Sequence, residues 1–311
     1  MVKAQTDDVC DSVYPFNAHV FVLGNQALNC RIWKQLPSAS AVFAMESAMT
    51  TTSTQAAVMS VTDLSFAYDE KTPVLKSINA SVKPGRIHVL LGPNATGKTT
   101  LLKLMLGILA PQKGAIRLGD HDNQHLDARQ RARLMSFVPQ QSASSFGFDV
   151  EHVVTMGRLS LGANAQMVEE AMVAADVMPI RHRPFNQLSA GQQQRVLLAR
   201  ALAQVGPQTL VMLLDEPVSA MDLSRSHQMM LQLKKRADRG LAIIVVLHDL
   251  NLAMQYADEV WLMQDGQFVV TGDWQDVMMP DVLGPVYRMA FERLQHDFSP
   301  RPILLSRPVV Q

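Results

Sequence analysis

Cysteine is nearly absent: the 311 residues hold two, Cys10 and Cys30. Their spacing matches no metal-binding pattern, and the cysteine-free remainder suits a reducing compartment. An excess of either charge is also missing. The 28 Lys and Arg balance 28 Asp and Glu, so there is no electrostatic footprint for nucleic acid and none is expected as a partner. No run approaches the roughly 20 consecutive apolar residues that cross a bilayer, so any membrane role runs through a partner. The start, with Asp7, Asp8 and Asp11, lacks the basic and apolar regions of a secretory signal. Apolar residues, by contrast, make up 48% of the chain. That is enough for a sizeable core, in one large domain or two small ones.

One stretch organises the rest. Gly92-Pro93-Asn94-Ala95-Thr96-Gly97-Lys98-Thr99 fits the G-x-x-x-x-G-K-[ST] phosphate-binding loop. The apolar run Ile87–Leu91 before it reads as a buried strand. Thr100 to Leu106 after it has the composition of a helix. In that context the loop and helix N–H groups make an anion site for phosphates. Lys98 can reach the β- and γ-phosphates, and the Thr99 hydroxyl can ligate Mg²⁺.

Residues 1–57 show only weak helical and strand periodicity, and Ser, Thr and Ala crowd from Ser38 to Ala57. They read as a poorly ordered or non-native extension, with Met45, Met49 and Met59 as alternative starts. From Val58 onward the pattern is regular. Strands are expected at Val58–Tyr68, Ser77–Val82, Ile87–Leu91, Ala115–Leu118, up to Gln140, and at Thr209–Leu214 and Ala242–Leu247. A hairpin joins Glu259–Gln264 to Gln267–Thr271 through Asp265-Gly266. Asp120 to Asn123 reads as a loop, and Asp127 as the cap of a short helix. Helices at Val150–Gly157, Ala165–Val177 and Ala190–Ala203 form an inserted helical subdomain, about 141–204. Ser224–Ala237 is a further helix. The tail from about Leu283 is mixed, ends Pro-rich and is expected to pack only partly.

Strands alternating with helices imply an α/β sheet, whose ligands sit beyond the carboxyl ends of the strands. Three buried strands end in polar groups: Leu91 into the loop, Leu214 into Asp215-Glu216, and Leu247 into His248. If these strands are parallel neighbours, the groups converge. Asp215 would then hold Mg²⁺, and Glu216 would orient or deprotonate the attacking water. His248 would meet the γ-phosphate, and Gln140 would reach the metal or the water. Tyr68 offers an aromatic face for adenine. Ser189 can cap the helix opened by Leu188-Ser189-Ala190-Gly191-Gln192. That capped N-terminus is a second anion site, useful if it meets the nucleotide of another subunit.

The ordered set of motifs resembles the nucleotide-binding subunit of ABC transporters, from about Val58 to Met279. Tyr68 stands as the A-loop aromatic, Gly92–Thr99 as Walker A followed by Thr100, and Gln140 as the Q-loop. Leu188–Gln192 stands as the signature, Leu210–Asp215 with Glu216 as Walker B, Ser219–Asp222 as the D-loop and His248 as the switch. The resemblance implies a P-loop nucleotide-binding domain, about 58–282, with an antiparallel β subdomain and the helical insert, followed by a tail of 283–311. It implies a head-to-tail homodimer sandwiching two ATP with Mg²⁺, with Asp222 coupling the two sites. Two positions depart from the family pattern. Ala95 and Ala190 stand where glycine is usual. If position 95 needs positive φ, Ala costs on the order of 1 kcal/mol.

Phe148–Arg158 and Val246–Ala253 resemble importers of iron chelates, haem and cobalamin. This implies an ATPase on the cytoplasmic face of the inner membrane, bound to integral-membrane permease subunits. A periplasmic or lipoprotein binding protein would deliver ferric siderophore or haem. The rival class, a soluble ABC ATPase acting on ribosomes or DNA, is disfavoured by the single nucleotide-binding domain and the absence of basic excess. An exporter subunit is disfavoured by the Val150–Arg158 segment.

Overall fold

Ile87–Leu91, the apolar run before the glycine loop, forms β3 inside a six-stranded sheet. The computed structural model describes residues 56–69, 72–140, 147–297 and 299–308. All of these lie in one unit, Thr54–Gln311. The sequence reading of 1–57 as an extension, with both cysteines, lies outside the described residues except for its last two positions.

The sheet order is β10 (Gln267–Asp273), β9 (Glu259–Gln264), β3, β8 (Ala242–Val246), β7 (Val211–Asp215) and β6 (Met135–Val138). All neighbours from β9 to β6 are parallel, and β10 returns antiparallel on β9. Every residue of β3, β7 and β8 is buried. Side chains alternate across a strand, and a parallel sheet is covered on both faces. Accordingly, Ile87, Val89 and Leu91 join one core while Leu90 joins another. In β8, Ile243 and Val245 face the first, and Ala242, Ile244 and Val246 the second.

The second core is closed by α1 (Lys98–Met105) and an antiparallel sheet. That sheet runs β2 (Pro73–Val82), β1 (Met59–Ala67), β4 (Lys113–Leu118) and β5 (His121–Asp122). The stretch Asp120–Asn123, expected as a loop, thus lends two residues to β5 beside Arg117 and Leu118. Between β4 and β6, α2 (Ala128–Leu134) carries the expected Asp127 cap, completed as a capping box by Gln130.

Between β6 and β7 the chain forms α3 (Val150–Thr155), α4 (Ala165–Ala174) and α5 (Ala190–Gln204). Leu197 of α5 packs into the first core, with Met230 of α6 (Leu223–Ala237) and Leu252 of α7 (Leu250–Tyr256). After β10 come α8 (Trp274–Val277) and α9 (Pro280–Tyr287). A hairpin of β11 (Met289–His296) and β12 (Ser299–Pro308) follows. The tail is better packed than its composition suggests: Leu283, Val286 and Leu304 enter the first core. Hydrogen bonds from Asn251 and Arg301 add to this apolar docking across long sequence separations, which hydrophobic patterning does not reveal.

Candidate active site

The parallel register brings the ends of β3, β7 and β8 side by side. Beyond β3 the loop needs two glycines for distinct reasons. A Cβ on Gly92 (φ 147°) would sit 2.2 Å from the Met263 carbonyl oxygen, and one on Gly97 (φ 100°) would sit 2.7 Å from Leu75. Gly97 is also the N-cap of α1 and offers no side-chain cap, which leaves the first helix N–H groups for an anion. Thr96 Oγ1 donates to the Pro93 carbonyl at 3.0 Å, bracing the turn. Ala95 has φ 62°, so the position does require the left-handed region.

Lys98 is 6% exposed. Its Nζ donates to the carbonyls of Gly92 at 2.9 Å and Pro93 at 2.7 Å. Burial lowers its pKa, and the nearby Glu216 and Asp215 partly offset this.

Asp215 ends β7 and is 3% exposed. Burial raises its pKa, a hydrogen bond from Thr99 lowers it, and neighbouring Glu216 raises it again. Its Oδ1 has no partner among the described residues. A buried carboxylate oxygen without a donor, beside a threonine hydroxyl, is the oxygen set a hard cation takes. Thr99 and Asp215 therefore fit Mg²⁺.

Glu216 follows with φ 48°, a strained conformation of the kind functional sites hold. Gln140 Nε2 donates to its Oε2 at 2.7 Å. His248 Nε2 lies 2.5 Å from its Oε1. Asn94 to Thr100, Gln140, Glu216 and His248 line one cavity of about 560 Å³, joined by Val74, which sequence reasoning did not single out.

The other predicted residues are not part of this lining. Tyr68 is 61% exposed, packs edge-on against Phe66 and places its hydroxyl 3.3 Å from Thr100 Oγ1. Ser189 caps α5 in a capping box with Gln192. A Cβ on Gly191 would approach the Ala220 carbonyl to 2.7 Å, so the signature turn rests against the loop before Asp222. Asp222 caps α6 by accepting from Arg225 N at 2.9 Å. Ser189, Gly191, Gln192 and Asp222 contribute nothing to the lining around Lys98. Sequence reasoning also missed Tyr287, whose phenol lies by the Gly92 backbone while burial pushes its pKa up to about 12. No local motif marks that residue.

Comparison with known proteins identifies the family. The ABC transporter family profile matches residues 75–219. The hemin import ATP-binding protein HmuV of Pseudomonas entomophila is 38% identical over 240 residues, 75% of this chain and 94% of that protein. This chain belongs to the ABC transporter family. A second relative, HmuV of Pseudomonas aeruginosa, is 36% identical over 256 residues, 80% of this chain and 100% of that protein. Among solved structures, the ATP-binding cassette MJ0796 is a dimer in a post-hydrolysis state bound to ADP and Pi. It superposes with a TM-score of 0.64 at 26% identity, covering 69% of this chain and 98% of that one. The fold is thus that of an ABC ATPase cassette, and the chain is an ATP-hydrolysing subunit that couples energy to import. Among the described residues no helix is long and apolar enough to cross a membrane.

Proposed function

We propose that this chain powers a haem importer, hydrolysing ATP as one half of a homodimer on the cytoplasmic face of the membrane. The observation that carries the chemistry is the convergence of Lys98, Gln140, Glu216 and His248 on one cavity. The substrate reading rests on relatives that are hemin import proteins.

In this reading the loop amides and Lys98 bind the β- and γ-phosphates, and Tyr68 stacks on adenine. Thr99, Asp215 and Gln140 hold Mg²⁺, which when bound neutralises charge developing on the phosphates. Glu216 orients the attacking water and takes its proton. His248 holds the Glu216 carboxylate and contacts the γ-phosphate. Ser189, Gly191 and Gln192 face the nucleotide of the opposite subunit, which accounts for a capped helix end lying outside this chain's own cavity. Asp222 links the two sites. The permease contacts the helical insert, and a separate binding protein delivers haem, which never touches this chain.

The test is co-purification followed by reconstitution. The tagged chain should bring down a many-helix permease. In vesicles, haem on its binding protein should stimulate ATP hydrolysis severalfold. Stimulation by a ferric siderophore or cobalamin but not haem would move the substrate within the importer group. Ribosomal or DNA-bound partners without a permease would overturn the reading.

A further inference from the structure

Helix α7 begins directly after His248 and Asp249. It has seven residues, too few to hold its own geometry without outside contacts. At its start, Asp249 Oδ1 accepts from the N–H groups of Asn251 at 2.8 Å and Leu252 at 3.0 Å. On its inner side Leu252, Ala253 and Met254 are buried. At its end, Tyr256 lies 2.9 Å from His227 of α6.

The outer side is held by the C-terminal hairpin. Asn251 Nδ2 donates to the Leu304 carbonyl at 3.0 Å, and Leu304 N returns a hydrogen bond to Asn251 Oδ1 at 2.7 Å. Gln255 Oε1 accepts from Ser299 Oγ at 2.9 Å. Arg301 Nη1 donates to the carbonyls of Met254 at 3.0 Å and Ala257 at 2.6 Å. These are last-turn carbonyls, which a helix of any length leaves without partners of its own. A guanidinium there also complements the negative end of the helix dipole. Arg301 in turn lies over the Trp274 ring, 4.5 Å from its centroid. The helix is therefore gripped at both ends by a strand more than 40 residues further along the chain.

We propose that Asn251 and Arg301 are positioning residues for ATP hydrolysis, through which the β11–β12 hairpin sets the place of His248 against Glu216. The inference rests on the reading of His248 as part of the catalytic cavity. Among the described residues, none of the hairpin is in the cavity lining around Lys98, so its effect is on turnover and not on nucleotide capture. Its chemistry is directional: the Asn251 and Arg301 contacts are hydrogen bonds to fixed backbone atoms, so a shift of the strand carries the helix, and His248 at its head, with it.

The experiment uses the full chain and measures kcat, KM and ATP affinity for Asn251→Ala, Arg301→Ala, Arg301→Lys and His248→Ala, and for the Arg301→Ala/His248→Ala double variant. Arg301→Ala and Asn251→Ala should each lower kcat about fivefold or more while ATP affinity changes less than twofold. Arg301→Lys, which keeps a donor for the carbonyls, should recover most of the loss. The double variant should turn over no more slowly than His248→Ala alone, since both changes act through one side chain. Losses that multiply in the double variant, or a fall in ATP affinity parallel to the fall in kcat, would overturn the proposal. So would wild-type kcat in both Asn251→Ala and Arg301→Ala while His248→Ala is impaired. Full turnover in His248→Ala would instead remove the reading of the cavity on which the inference rests.

Discussion

The Glu216 carboxylate is shared: Oε2 accepts from Gln140 at 2.7 Å, and Oε1 lies 2.5 Å from His248. Two segments far apart in sequence thus hold one carboxylate at the end of β7.

Lys98 is held by two loop carbonyls rather than by a carboxylate, so its charge remains for a phosphate. Lys98→Ala should weaken ATP binding at least about tenfold, the worth of one charge-assisted hydrogen bond or more. Fluorescent-nucleotide titration reads this directly. Unchanged affinity would count against the loop assignment.

Ala95→Gly should stabilise the protein modestly. The left-handed φ of 62° costs a residue with a Cβ about 1–2 kcal/mol. Glycine gives back about 0.4–1 kcal/mol through the unfolded chain. The strain outweighs the entropy, so a small rise in the melting temperature is expected. A fall would mean that the alanine methyl makes contacts worth more than the strain.

Ser189→Ala removes a capping box and should cost about 1 kcal/mol of stability. Nucleotide affinity of the isolated subunit should stay the same while steady-state turnover falls, as the proposed action of the signature in trans requires. Loss of nucleotide affinity at monomeric concentrations would contradict that division.

Stability at low pH should depend on Glu259. Burial pushes its pKa up, but hydrogen bonds with His88 and Lys83 outweigh this and leave it at about 2. A depressed carboxylate contributes stability that is complete above its unfolded pKa and disappears as pH falls toward the folded value. Glu259→Gln should therefore flatten the decline in stability between about pH 4.5 and pH 2, as followed by urea denaturation across that window. An unchanged slope would show that other carboxylates govern acid unfolding.

Much of this was legible in the sequence because the determinants are local. The strand–loop–helix unit around Gly92–Thr99 carries its own turn, strand and cap signals, and Asp127 and Ser189 each cap the helix they precede. The β3, β7 and β8 ends could be proposed as neighbours because each is a short, fully buried run ending in polar residues. Helix α7 and the β11–β12 hairpin were not legible. Their pairing depends on Asn251 and Arg301 finding backbone atoms across long sequence separations, and nothing in a single stretch encodes that. Tyr287 escaped for the same reason: its contact with Gly92 is set by where α9 lies.

The most direct measurement is ATP turnover and dimerisation of Glu216→Gln, which preserves side-chain shape at the end of β7 but replaces one acceptor oxygen with an amide NH2 and removes the base. The expected result is intact ATP binding, a dimer that persists with ATP, and turnover reduced about a hundredfold or more. Wild-type turnover in this variant would remove Glu216 from the catalytic role and contradict the account of the cavity.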